Sequence, residues 1–119
     1  MKFINYWITR LSHPVRGITR ALREDSAVQI EAIGGVVLLS TLHFLFGPFT
    51  PTGQLLLIFC FFLVLVTELQ NSAFEAALDR LHPEHHKDIG HSKDLAAGAV
   101  VTVGIFGLVC LYFVLTGKV

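Results

Sequence analysis

Twenty-three consecutive residues without a charged side chain, Leu95 to Gly117, restrict this chain more than any other feature. At about 1.5 Å per residue they span roughly 34 Å as a helix, enough to cross a hydrocarbon core of roughly 30 Å. A second apolar stretch, about Ala27 to Phe49, is interrupted only by Gln29, Glu31 and His43 and reads as the first span. The stretch between them, Gly53 to Thr67, holds only 15 uncharged residues, but good helix formers carry the pattern on through Asp79. Its polar half must face protein or water, because lipid cannot solvate it. With 53% hydrophobic residues in 119 and a mean hydropathy of +0.64, the chain is too apolar for an ordinary soluble domain of its size. The expectation is an all-α integral membrane protein forming one membrane domain, 1–119. Its parts are an N-terminal interfacial amphipathic helix (1–23) and transmembrane helices at 26–47, 53–80 and 92–117.

Lys plus Arg and Asp plus Glu both number 9, so no net charge steers the chain toward nucleic acid. Placement says more. Lys2, Arg10, Arg16, Arg20 and Arg23 precede the first span, and Arg80, Lys87 and Lys93 lie between the second and third. Only Lys118 lies beyond them, so the positive-inside tendency puts the N-terminus in the cytoplasm and the C-terminus outside. The first apolar run begins after more than twenty residues containing five cations, which does not fit a secretory signal peptide. Phe3, Ile4, Trp7, Ile8 and Leu11 share one helical arc, suited to lying on the inner leaflet. Pro14 should bend or restart that helix. The connector Gly47 to Gly53 carries turn chemistry, and the loop Arg80 to Ser92, with Pro83 and Gly90, is expected to lie outside the bilayer. Cys60 and Cys110 fall inside apolar spans with no C-x-x-C spacing and read as small core or lipid-facing residues.

The chemistry is concentrated in Glu68 to Arg80, ELQNSAFEAALDR. On a helix, Glu68, Asn71, Ser72, Glu75 and Asp79 fall within an arc of about 100°, away from Leu69, Phe74 and Leu78. Carboxylates near membrane depth cost several kcal/mol each unless paired, hydrated or metal-bound, so such a stripe points to a functional site. The bland alternative is that these acids cap the span and pair with Arg80, Arg23 or Lys93. Glu24, Asp25, Gln29 and Glu31 lie at the same inner interface, as do Lys93 and Asp94 at the head of the last span. Clustered oxygen ligands suit Mg²⁺, and a neighbouring lysine suits nucleotide phosphates. Phosphoryl transfer needs little beyond such positioning and charge neutralisation. The chain contains neither a G-x-x-x-x-G-K-[ST] loop nor a protein-kinase glycine loop.

The run Glu68-Leu69, Asn71-Ser72-Ala73, Glu75-Ala76 and Asp79-Arg80, followed by Lys93-Asp94 and Ala97 to Val100, resembles the prokaryotic membrane-integral diacylglycerol kinases. The resemblance covers roughly Arg16 to Phe113. It implies ATP-dependent phosphorylation of a membrane-resident alcohol in a homotrimer with active sites shared between subunits, in the bacterial cytoplasmic membrane. It makes Glu68 the catalytic base for the lipid hydroxyl and Glu75 a ligand of Mg²⁺, with Asp25 or the adjacent Glu24 as second ligand. Lys93 would meet the phosphates of ATP, while Asn71, Asp79, Asp94 and Asp25 would complete the nucleotide site. Glu31 and Arg10 would join Glu68 in meeting the lipid. Glu31 stands where undecaprenol-specific relatives tend to have histidine, which leans toward diacylglycerol, and His91 stands where relatives commonly carry arginine.

Two other readings compete with a diacylglycerol kinase. One is an undecaprenol kinase. The other is a non-enzymatic membrane protein, either a scaffold or a metal-binding module using His82, His85, His86 and His91, although loop histidines are more often simply solvated. A pore is disfavoured because Leu55 to Val66 has no ionisable group except Cys60.

Overall fold

A computed structural model describes the whole chain, Met1–Val119, as four helices and no strand. The chain orders them as α1 (Lys2–Glu24), α2 (Ser26–Phe46), α3 (Pro51–Leu81) and α4 (Lys87–Leu115). The last three are each long and apolar enough to cross a membrane. Helices satisfy their own backbone hydrogen bonds, which lipid cannot do. Only 7 of 119 residues are buried, and large apolar side chains such as Leu95, Leu108, Phe44 and Ile30 are exposed, so water is not the solvent these helices are built for.

Three of the four helix starts have a side-chain cap. Asp25 accepts hydrogen bonds at Oδ1 from the Ala27 and Val28 amides, 3.0 and 3.2 Å away, and so caps α2. The Thr50 hydroxyl accepts from Gly53 N at 3.0 Å, and Pro51 opens α3, where a missing N–H costs nothing. His86 accepts from the Asp88 amide through Nδ1 at 3.2 Å and starts α4. That cap makes α4 begin at Lys87 rather than at 92. The polar loop shrinks to His82–His86, and Gly90 becomes helical. At the far end Gly117 adopts φ +66°, and the amides of Gly117 and Lys118 donate back to Val114 and Phe113 O, closing α4 with a left-handed glycine.

Because so short a link joins them, α3 and α4 run antiparallel and form the most extensive contact of the molecule. Their seam carries Gly53 and Cys60 from α3 against Val114 and Cys110 from α4. A Cβ added at Gly53 would already stand 3.4 Å from Val114 Cγ1. The α2 helix packs less extensively on α3. The two come close at Gly35, where a Cβ would overlap the Phe61 ring.

The first helix is continuous through Pro14, with no restart there. Its surroundings explain this: α1 buries no residue, so the carbonyl deprived of Pro14's amide can be hydrated. Gln29 Nε2 donates to Leu22 O and Arg23 O, 3.1 and 3.0 Å away, and ties the end of α1 to the start of α2. The molecule measures 49 × 47 × 21 Å. Helices packed side by side would be long in one direction only, so α1 runs out sideways from the others.

Gly35→Ala forces the Phe61 ring out of its position and is expected to cost about 1–3 kcal/mol, the usual penalty of overpacking. Unfolding of the protein by dodecyl sulfate in mixed micelles measures this. In the double variant with Phe61→Ala the combined loss should be smaller than the sum of the single losses.

Candidate active site

The inner half of α3 holds one deeply placed acid. Glu68 is 6% exposed and sits three residues before Asn71, whose side chain lies within hydrogen-bonding reach of its carboxyl. Asp25 and Glu31 approach it from the start of α2, and Glu75 from two turns further along α3, all close enough to act on it electrostatically. The chain's ion pairs are Arg20–Glu24, His86–Asp88 and Lys93–Asp79. Glu68, Asp25, Glu31 and Glu75 therefore gather without a cationic side chain paired to any of them. Repulsion among acids so placed favours a bound cation.

Asn71 adds a further point of attachment, since its Oδ1 is buried and accepts no hydrogen bond. Asp25 is more engaged. The Ser72 hydroxyl across on α3 holds its carboxyl below the usual aspartate range against the opposing effect of burial, with help from the Val28 and Ala27 amides. One residue thus caps α2 and faces Ser72 of α3. Glu24 points elsewhere: it accepts from Arg20 Nε at 2.7 Å on the exposed face of α1.

At the lower end of the stripe, the Lys93 ammonium donates to the Asp79 carboxylate and pins the inner ends of α3 and α4 together. The pair is open to solvent, with side chains 33% and 64% exposed respectively. Glu75 is exposed beside it, and Asp94 and His91 line a shallow hollow on α4. Arg10 stacks on and donates to Tyr6 of its own helix. Of the residues singled out in the sequence, the structure thus gathers Glu68, Asn71, Asp25, Glu31 and Glu75, and pairs Asp79 with Lys93. It leaves Glu24 and Arg10 engaged on α1. Ser72 shared the arc of Glu68 but had no assigned role until its partner on α2 came into view.

No three His, Cys, Asp or Glu side chains meet closely enough to enclose a metal ion, and that includes the histidines of the α3–α4 link. The carboxylate oxygens around Glu68 nonetheless have the hardness Mg²⁺ prefers, and that ion keeps waters and phosphate oxygens in its shell rather than demanding a full protein cage.

A family profile described as prokaryotic diacylglycerol kinase matches residues 12–115. The chain belongs to the prokaryotic diacylglycerol kinase family. Diacylglycerol kinase of Escherichia coli strain K12 is 30% identical over 94 residues, which cover 79% of this chain and 75% of that protein. Diacylglycerol kinase of Haemophilus influenzae strain Rd is 29% identical over 107 residues, 89% of each chain. Membership makes the chain a lipid kinase with ATP as co-substrate, and its three long apolar helices make it a multi-pass membrane protein.

Asp25 supplies the pH dependence of the α2–α3 corner. Its folded-state pKa is depressed, so its stabilising contribution is complete above the ordinary aspartate range and is lost as pH falls through the lowered value. Heteronuclear NMR of the Ala27 and Val28 amides should titrate with a midpoint below that of an unperturbed aspartate. Ser72→Ala should raise that midpoint.

Proposed function

We propose that this lipid kinase transfers the γ-phosphoryl group of ATP directly to diacylglycerol, at the cytoplasmic face of the membrane. The observation that carries the reading is the buried, unpaired carboxyl of Glu68 among Asn71, Asp25, Glu31 and Glu75. Glu68 accepts the proton of the lipid hydroxyl, whose oxygen forms the new bond to phosphorus as the bond to ADP breaks. Asp25 and Glu75 hold Mg²⁺, which when bound supplies charge neutralisation on the phosphates. Asp25 is favoured over Glu24 because it faces α3 through Ser72, whereas Glu24 is committed to Arg20. Asn71 orients Glu68 and offers its free Oδ1 to the incoming substrates. Lys93, kept in place by Asp79, meets the phosphates, and Asp94 completes the nucleotide side. Glu31 and Arg10 attend the lipid headgroup.

The remaining elements fit the same picture. The sideways α1 lies on the inner leaflet with Trp7 at headgroup depth and both its apolar arc and its cations engaged. In this reading the N-terminus is cytoplasmic and the C-terminus outside, which the cation-rich segments before α2 and between α3 and α4 support. A single chain encloses Glu68 but leaves Glu75 exposed and Asp25 and Glu31 partly so, which supports a homotrimer with sites completed by adjacent subunits.

Purified protein in mixed micelles with Mg²⁺ and ATP should phosphorylate diacylglycerol in preference to undecaprenol. Glu68→Gln should lower kcat by about 10²–10⁴-fold with little change in KM for ATP, the range expected on removing a general base. Asp25→Ala should raise the Mg²⁺ concentration needed for half activity, while Glu24→Ala should leave it near the parent value. Labelling of neither lipid by the parent protein defeats the proposal.

A further inference from the structure

The chain has two cysteines, one on α3 and one on α4, and both are free and buried, Cys60 being 6% and Cys110 5% exposed. Two contacts fix how these helices face each other. A Cβ built on Gly53 would stand 3.4 Å from Val114 Cγ1, and one built on Gly107 would stand 3.9 Å from Cys60 Cβ. From Gly53 to Cys60 on α3, and from Val114 to Gly107 on α4, each helix advances about two turns, so one face of α3 meets one face of α4 throughout this interval. At the level of Cys60 the helices run about as close as a disulfide needs, which is a Cβ separation of roughly 3.5–4.5 Å. Cys110 lies within the same interval, one turn from Gly107 and on the same face. Its thiol is within hydrogen-bonding reach of the Cys60 thiol. Cys60 also borders a cleft between α2, α3 and α4, which gives small apolar molecules a way in. The acidic site uses neither thiol, and Cys60 stands about 12 Å along the helix from Glu68.

We propose that Cys60 and Cys110 form a modification site, at which an organic peroxide dissolved in the bilayer converts the two thiols into one disulfide that ties α3 to α4. One sulfur takes an oxygen from the peroxide as the O–O bond breaks, giving a sulfenic acid and releasing an alcohol. The second sulfur then displaces that oxygen, so that the S–S bond forms and water leaves. The two thiols together lose two electrons and two protons, and the peroxide takes up both. A second thiol already in reach captures the sulfenic acid before a further oxidation to sulfinic acid. Depth in the membrane favours the same product. A disulfide is neutral and apolar, whereas a sulfinate or a thiolate-bound metal ion would put charge into hydrocarbon. The link fastens the hairpin well away from its other tie, the Lys93–Asp79 pair beside the His82–His86 connection. It rests on the packing of α3 against α4 and is independent of the kinase reading.

Full-length protein in mixed micelles is treated with cumene hydroperoxide, an apolar organic peroxide, then quenched and alkylated with a maleimide in dodecyl sulfate. Both thiols should be lost to alkylation, and peptide mapping should join the segment that carries Cys60 to the segment that carries Cys110 within one chain. Dithiothreitol should restore both thiols. The oxidised protein should resist dodecyl sulfate better than its reduced form, with the folding equilibrium constant raised about tenfold or more. These readings are made on the parent chain, so they decide the matter even where a variant does not fold. Cys60→Ser and Cys110→Ser should each abolish the cross-link and the gain in resistance together. Thiols that survive the peroxide, a sulfinic acid on one cysteine, or a disulfide that joins two chains overturns the proposal. So does a link between Cys60 and Cys110 that leaves the resistance to dodecyl sulfate unchanged.

Discussion

The α3–α4 hairpin is the contact on which the rest of the molecule depends. A link of five residues, His82–His86, keeps the two helices antiparallel, and the Lys93–Asp79 pair fastens their inner ends. Only along this seam do several residues lose contact with solvent, with Gly53 and Cys60 against Val114 and Cys110. Glu68 is buried on the same helix, four turns inward of Gly53, so the position of the central acid follows from the packing of apolar residues nearer the outer end. An α3 free to rotate would carry Glu68 into lipid, where a carboxyl is costly.

Much of this was legible in the residues. The uncharged run Leu95–Gly117 and the mixed character of Gly53–Asp79 already required helices of the observed kind, because the length of an apolar stretch and the cost of bare backbone in hydrocarbon leave little choice. The helical arc likewise placed Glu68 with Asn71 and Ser72, since side-chain direction on a regular helix is a matter of counting. Helix boundaries were harder. The start of α4 is set by the His86 ring accepting the Asp88 amide, a local bond that hydropathy does not register. The restart expected at Pro14 is absent for a related reason, because the effect of a proline on a helix depends on whether the orphaned carbonyl can reach water. Partnerships across helices were the least visible. Nothing in the spacing shows that Ser72 meets Asp25 or that Gln29 clamps Leu22 and Arg23.

Division of labour among the acids follows from their surroundings rather than their identity. Glu68 is enclosed, Asp25 is bound by a hydroxyl and two amides, Asp79 is paired with an ammonium, Glu24 is paired with a guanidinium, and Glu75 stands in the open. Five carboxylates of nearly equal intrinsic strength thus acquire different freedom to take new partners. An exposed acid and an open ion pair can rearrange around a charged co-substrate, whereas an enclosed acid with an oriented neighbour cannot.

The corner between α1 and α2 has a mechanical consequence. Asp25 is the single non-helical residue between a helix that runs sideways and one that stands upright, and Gln29 locks the two together. If α1 floats at the bilayer surface, that corner fixes how deep the upright helices ride. At 31 residues and about 46 Å, α3 exceeds the hydrocarbon thickness, so the excess emerges on one side. On the proposed placement of α1 the membrane would work as a gauge: its surface level, met by α1 and transmitted through one aspartate, would set how much of the acidic stripe stands above the oil.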